Sequence, residues 1–234
     1  MSIFRITKLS ALLSKTVLVA LVVNLSLATL PAISQTYVPP DRGLPGRREG
    51  GGTRGGCVKE QPTLTAIVPQ TNLGLTTQAQ PTLLWYIPTS TAKIAEFELR
   101  DAQESVIYTH QIPITGEAGL LKVQLSSAEQ ISLEPGQRYH WYFSLVCDPQ
   151  DRSGDIFTEG WIERIQPNPE LENQLTQASE IDRATLYAEA GIWHDALATL
   201  VNLQQVDRSA VAANWANLLT SVDLASFADK PYLP

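Results

Sequence analysis

Residues 138–147 read RYHWYFSLVC. Tyr139, Trp141, Phe143, Leu145 and Cys147 alternate with Arg138, His140, Tyr142, Ser144 and Val146. Successive side chains of a strand point to opposite faces, so a half-buried strand has period two. The first set is expected to face a core, with Cys147 among it. The second is expected to face outward.

The same alternation recurs on either side. Leu121, Val123 and Leu125 alternate with Lys122 and Gln124, and Phe97 and Leu99 with Glu96 and Glu98. Strands are expected over Thr63–Val68, Thr82–Ile87, Ile94–Arg100, Ser105–His110, Leu120–Leu125, Arg138–Cys147 and Ile156–Ile165. Short strands divided by turn residues point to an antiparallel β-sandwich. Pro135-Gly136 shortly before Tyr139 looks like the tyrosine corner of immunoglobulin and fibronectin type III-like sandwiches. In the last strand Phe157 and Trp161 share a face with Glu159 and Glu163, and Gly160 is read as a bulge that switches phase.

After Pro167 the apolar period becomes helical. Asn168 is a good N-cap, with Pro169 at the first helical position. Leu171, Leu175, Ala178, Ile181, Ala184 and Tyr187 make one face of a single helix ended by Gly191. A second helix is expected over Trp193–Gln204 and a third from Asp207 or Ser209. Tyr187, Gly191, Trp193, Ala196 and Leu200 have the spacing of a tetratricopeptide-like hairpin, but one repeat cannot stand alone. The fold class is therefore α+β: an immunoglobulin/fibronectin-like β-sandwich over 57–166, then a helical tail over 167–230.

Residues 1–34 carry Arg5, Lys8 and Lys15 without an acid, then the apolar run TVLVALVVNLSLATL, then Ala32-Ile33-Ser34. That is the layout of a cleaved secretory signal, and the run is short of the roughly 20 residues of a membrane span. The mature chain is expected to be periplasmic or secreted, with no stable span. Losing those three cations moves the net charge from −7 to −10. Such an acidic chain is a poor nucleic-acid binder. Two cysteines and three histidines are too few for a cysteine-based zinc site, an iron–sulfur cluster or a histidine cluster, so no metal or cofactor is expected. In an oxidising compartment Cys57 and Cys147 have one possible intramolecular pairing; two free buried thiols or a catalytic cysteine are the alternatives.

Residues 35–56 are rich in glycine and proline and read as a flexible neck. Arg42, Arg47, Arg48 and Arg54 make it the one basic patch, able to meet an anion or an acidic partner. Asp148, Asp151 and Arg152 lie in a turn, DPQDRSGD, without the spacing of a calcium loop. With Trp193, these residues are the candidate contacts for a partner.

Four stretches resemble a cyanobacterial family described as a domain of unknown function, number 928: PPDRGLPGRREGGGTRGGC (39–57), PTLLWYIP (81–88), EPGQRYHWYFSLVCDPQDRSGDIFTEGWIERI (134–165) and LYAEAGIWHDALATL (186–200). The resemblance covers about 37–228 and implies an extracytoplasmic protein but no chemistry. The reading favours a non-enzymatic envelope binding or assembly module, with an envelope protein or an anionic glycan as partner. The alternatives are a glycan or small-ligand binder using Tyr142, and a hydrolase using Asp148, Asp151, Asp155 and Glu159, or His140 beside Tyr142.

Overall fold

The structure is a computed structural model that describes residues 37–51, 56–58, 61–126 and 131–234. The expected signal over 1–34 lies outside the described residues. In chain order the elements are β1 (Arg47–Gly51), β2 (Thr65–Ala66), β3 (Leu73–Thr76), β4 (Thr82–Ile87), β5 (Ile94–Arg100), β6 (Val106–Pro113), β7 (Gly119–Gln124), β8 (Arg138–Val146) and β9 (Ile156–Arg164), then α1 (Pro169–Gln177), α2 (Glu180–Glu189) and α3 (Trp193–Thr220).

The strands form one mostly antiparallel sheet in the order β6-β5-β8-β9-β1-β2-β4-β7, a half-barrel followed by three helices. β3 departs from this path and runs parallel to β9. β9 divides its free edge: Phe157 and Glu159 pair with β1, and Trp161–Arg164 pair with β3. β1 then pairs with β2 through Glu49 and Thr65, which carries the sheet round towards β4.

This corrects the reading of the neck. Its described residues include a strand, and Tyr37 is buried in the core beneath the helices. β1, RREGG, has no apolar alternation, so period two could not reveal it. Its partners on both sides impose the strand. Residues 52–55 of the neck lie outside the described residues.

The core-facing set of β8 lies where period two requires. Tyr139, Trp141, Phe143 and Leu145 are buried, and half-buried Cys147 packs on the same core. The Tyr139 hydroxyl accepts the Glu134 N–H at 2.9 Å, which closes the corner begun by Pro135-Gly136. Trp85 of β4 stacks on Phe143 at 4.3 Å and meets Trp141 and Phe97 edge-on at 5.5 and 5.7 Å. Each such pair adds about 0.5–1.5 kcal/mol beyond area burial. The Trp85 indole N–H donates to Thr158 Oγ1 at 3.1 Å, so the ring is buried without stranding its polar atom.

Gly160 does not switch the phase of β9. Pairing with β8 runs in regular register from Ile156 to Glu163. A Cβ at Gly160 would stand 2.4 Å from Trp141 Cζ2, so the glycine makes room for that indole. Ile156, Thr158, Gly160 and Ile162 face inward, and Phe157, Glu159, Trp161 and Glu163 face outward.

The first expected helix is two helices. Ser179 accepts the Asp182 N–H with its hydroxyl, starting α2 anew after α1 stops at Gln177. Asn168 caps α1 as expected, by accepting the Leu171 N–H at 2.8 Å. α3 breaks at Asp207, whose φ of −149° and ψ of 96° are not helical. Its carboxylate caps the second half through the N–H groups of Ser209 and Ala210.

The helices lie against the β4–β7 side. Leu84, Tyr86 and Leu120 share a core with Tyr187, Trp193, Leu197, Leu200, Trp215 and Leu218. β4 is thus buried on both faces. At β3 the approach is close enough to need Gly74, where a Cβ would lie 2.2 Å from His194 Nε2.

His194 is fully buried there, and burial lowers its pKa from 6.5 to about 4 against the opposing pull of the Thr82 backbone. Between those values the unfolded chain binds a proton that the folded chain refuses. Stability is therefore lost as pH falls from 6.5 to 4, by up to about 3 kcal/mol from this group. Burial raises the neighbouring Asp195 carboxyl, whose contribution has the opposite sign. Denaturant melts of wild type and His194→Leu across that range isolate the histidine. The wild-type advantage is expected to shrink steadily on acidification; a constant difference would refute the assignment.

Candidate functional site

The outward faces of β5, β8, β9 and β1 carry four cross-strand rows. Glu96, Ser144 and Phe157 form one, and Glu98, Tyr142, Glu159 and Arg47 the next. Arg100, His140 and Trp161 form the third, and Arg138 and Glu163 the fourth. Strand register alone brings these groups together.

An aromatic stripe crosses the rows. His140 stacks on Trp161 at 4.1 Å and lies 4.4 Å from Tyr142, which lies 6.4 Å from Phe157. Two guanidinium groups lie over its rings: Arg100 at 4.5 Å from Tyr142 and Arg47 at 5.0 Å from Phe157. Cations favour the negative face of an aromatic ring. The Trp161 indole N–H donates to the Pro45 carbonyl at 2.9 Å. This bond ties the segment before β1 to the stripe.

The surrounding charges are paired. Glu163 accepts from Arg42 at 2.6 Å and from Arg138 at 3.1 Å. Arg100 pairs with Glu98 at 2.6 Å, and Arg152 with Glu96 at 2.9 Å. His140 Nδ1 lies 3.1 Å from Glu104, and Nε2 lies 3.5 Å from Glu159. Burial pushes the Tyr142 hydroxyl upward, and nearby Glu159 adds to that shift. The hydrogen bond with Glu98 raises Arg100 above the usual guanidinium range.

The residues read from the sequence divide into several groups. Arg42, Arg47 and Arg152 border the aromatic face. Arg48 turns away and donates to the Val222 carbonyl at 2.8 Å, which ties β1 to the end of the helices. Arg54 lies outside the described residues. Trp193 is a core side chain and cannot be a surface contact: it is fully buried, donates to the Ile67 carbonyl at 2.9 Å and meets Tyr37 edge-on at 5.0 Å.

The turn after β8 uses its own polar groups. Asp148 accepts the Gln150 N–H and Asp151 the Ser153 N–H, and hydrogen bonds from the Ser153 side chain and then its backbone hold Asp151 below the usual carboxylate range. Asp155 accepts the Cys147 N–H and pairs with Arg152. These carboxylates shape a turn. Among the described residues no group of three or more His, Cys, Asp or Glu can hold a metal ion.

Sequence reasoning missed Phe157, Trp161 and Arg100 as members of this face. The signal was present in β9, because Phe157 and Trp161 already shared a face with the glutamates. The postulated phase switch at Gly160 hid it.

The chain is thus a mostly antiparallel β half-barrel with three C-terminal helices and an aromatic, charge-paired outer face. It belongs to the family described as Domain of Unknown Function (DUF928), whose model matches residues 49–232. No curated protein matches it. Among solved structures, the fn3 domain of the human collagen alpha-1(XX) chain matches with 10% identity and a TM-score of 0.27, over 51% of this chain and 94% of that chain.

Cys57 and Cys147 are bonded to each other, with Cα atoms 5.2 Å apart, joining the segment after β1 to the end of β8. The bridge closes a separation of 90 residues, worth up to about 4–5 kcal/mol in the chain-entropy description. Denaturant melts with and without reductant are expected to differ by a few kcal/mol, and Cys57→Ser with Cys147→Ser is expected to match the reduced protein. Equal stability of oxidised and reduced chains would contradict this role.

Proposed function

We propose that the protein is an exported, non-enzymatic envelope binding or assembly module, periplasmic or secreted, that docks a protein partner on the outer face of β5, β8, β9 and β1. The carrying observation is the aromatic stripe with guanidinium groups over its rings, on a face that the helices leave free. Arginine, tryptophan and tyrosine are the side chains that dominate binding energy at protein interfaces.

The charge pairing bears on partner chemistry. Arg42, Arg100, Arg138 and Arg152 each already face a carboxylate. A polyanion would have to displace those carboxylates, whereas a mixed-charge protein surface can interleave with them. This favours an envelope protein over an anionic glycan. The Cys57–Cys147 bridge and the signal-like first 34 residues support export. Among the described residues no helix is long and apolar enough to cross a membrane. The hydrolase reading gains no support, because Asp148, Asp151 and Asp155 are engaged in the turn and His140 is clamped between Glu104, Glu159 and Trp161.

In-cell crosslinking followed by immunoprecipitation tests the proposal. The wild-type chain is expected to recover a specific envelope protein. Tyr142→Ala and Arg47→Ala are each expected to weaken purified binding by roughly thirtyfold, the effect of about 2 kcal/mol at an interface centre. Their melting curves are expected to stay near wild type. Unchanged recovery by both variants, or no partner under several crosslinking conditions, would refute the proposal.

A further inference from the structure

A cavity of about 210 Å³ lies on the helical side, where the loop between β3 and β4 and the ends of β4 and β7 meet α2 and α3. It shares no residue with the aromatic face. Sites for drug-sized ligands occupy roughly 300–1,000 Å³, so this one has room for a single small ring.

Its buried residues are Thr82, Tyr187 and Asp195. Asp195 Oδ1 accepts the Thr76 hydroxyl at 2.9 Å, and Oδ2 accepts the Thr77 N–H and hydroxyl, each at 2.7 Å. A carboxylate has about four acceptor positions, so one remains on Oδ1. Arg183 also lines the cavity. Its guanidinium reaches Glu180 at 3.0 Å and interacts with the Tyr187 hydroxyl, while the Nε–H itself is buried without a partner among the described residues. Buried donors are almost always paired, which makes this one a feature to be explained.

Four amides also line it, and one of them, Gln78, donates to the Thr77 hydroxyl at 3.0 Å. Gln80, Gln124 and Asn202 each present a carbonyl and an NH₂ group, and their side chains make no hydrogen bond with the described residues. One arginine and one aspartate balance in charge. Arg183 is already paired with Glu180, and Asp195 already accepts three hydrogen bonds, so neither charge is left seeking a free counter-ion. What it offers is a dense mixture of donors and acceptors in neutral groups. Hydroxyl groups both donate and accept, and match that mixture.

We infer that this cavity binds one neutral, hydroxyl-rich ring, a single sugar unit either free or at the end of a glycan. The unpaired Arg183 Nε–H and the remaining Asp195 Oδ1 position fix two of its hydroxyls. The amides of Gln80, Gln124 and Asn202 read the others. This ligand differs in class and place from the protein partner of the outer face.

The test is a ¹⁵N NMR titration of the disulfide-bonded chain with glucose, galactose, mannose and N-acetylglucosamine, with glucuronate as anionic control. At least one neutral sugar is expected to shift the signals of Gln80, Thr82, Gln124, Arg183 and Asn202. A disaccharide ending in the same unit distinguishes the sources: equal binding marks a glycan end, and loss of binding marks a free sugar. Asn202→Leu and Gln124→Leu, both exposed rim positions, are expected to weaken the response about tenfold with unchanged melting. The inference is overturned if no neutral sugar shifts these residues, if glucuronate binds more tightly, or if both rim variants titrate like wild type. Any of these results leaves the docking role of the outer face untouched, because Tyr142 and Arg47 take no part in this cavity.

Discussion

The fold depends on β4 being buried on both faces. Leu83, Trp85 and Ile87 enter the core between the two arms of the sheet, while Leu84 and Tyr86 enter the core under the helices. An antiparallel strand can leave one face in water, but TLLWYI leaves it none. Both cores must form around this strand. The helical segment, too short for a solenoid, thereby gains a partner inside its own chain.

That constraint decides which surface remains free. Helices packed on β4 and β7 occupy one outer side, so the opposite side of β5, β8 and β9 keeps its aromatic stripe and paired charges. β1 joins the two halves. Arg47 of β1 reaches the stripe, and its neighbour Arg48 reaches Val222 just past α3, because adjacent residues of a strand point opposite ways. The Cys57–Cys147 bridge holds the segment after β1 to the end of β8.

Much of this was legible in the chain. Arg138–Val146, Thr82–Ile87 and Ile94–Arg100 follow from apolar alternation or a continuous apolar run, and the Asn168 cap from local side-chain chemistry. The sequence narrows the helix restart to Asp207 or Ser209, of which Asp207 is the cap. β1 and β3 were not legible. Arg-Arg-Glu-Gly-Gly carries no apolar alternation and Leu-Gly-Leu-Thr only a four-residue one, and both become strands because β9 offers them an edge. The break at Ser179 was overlooked because the helical period runs through it.

The candidate surface was half legible for a similar reason. Tyr142 and His140 announced themselves on the outward set of β8. Phe157 and Trp161 did not, because the inward set of β9 includes Thr158 and Gly160, which look unlike core residues. Thr158 is there to accept from Trp85, and Gly160 to admit Trp141. Trp193 illustrates the opposite error, since an aromatic in a repeat-like hairpin suggested a partner contact and proved to be core. The Asp195 cavity gave no sequence signal, because its lining comes from the loop between β3 and β4, from β4 and β7, and from two helices.

The central claim is that one side of the sheet is sealed by the helices and the other is free. Hydroxyl-radical footprinting of the native, disulfide-bonded chain reads this directly, residue by residue. Phe157, Tyr142 and Trp161 are expected to oxidise readily, while Tyr86, Trp193 and Trp215 stay protected until the chain unfolds. Oxidation of Trp193 as fast as Trp161 in the folded protein would contradict it.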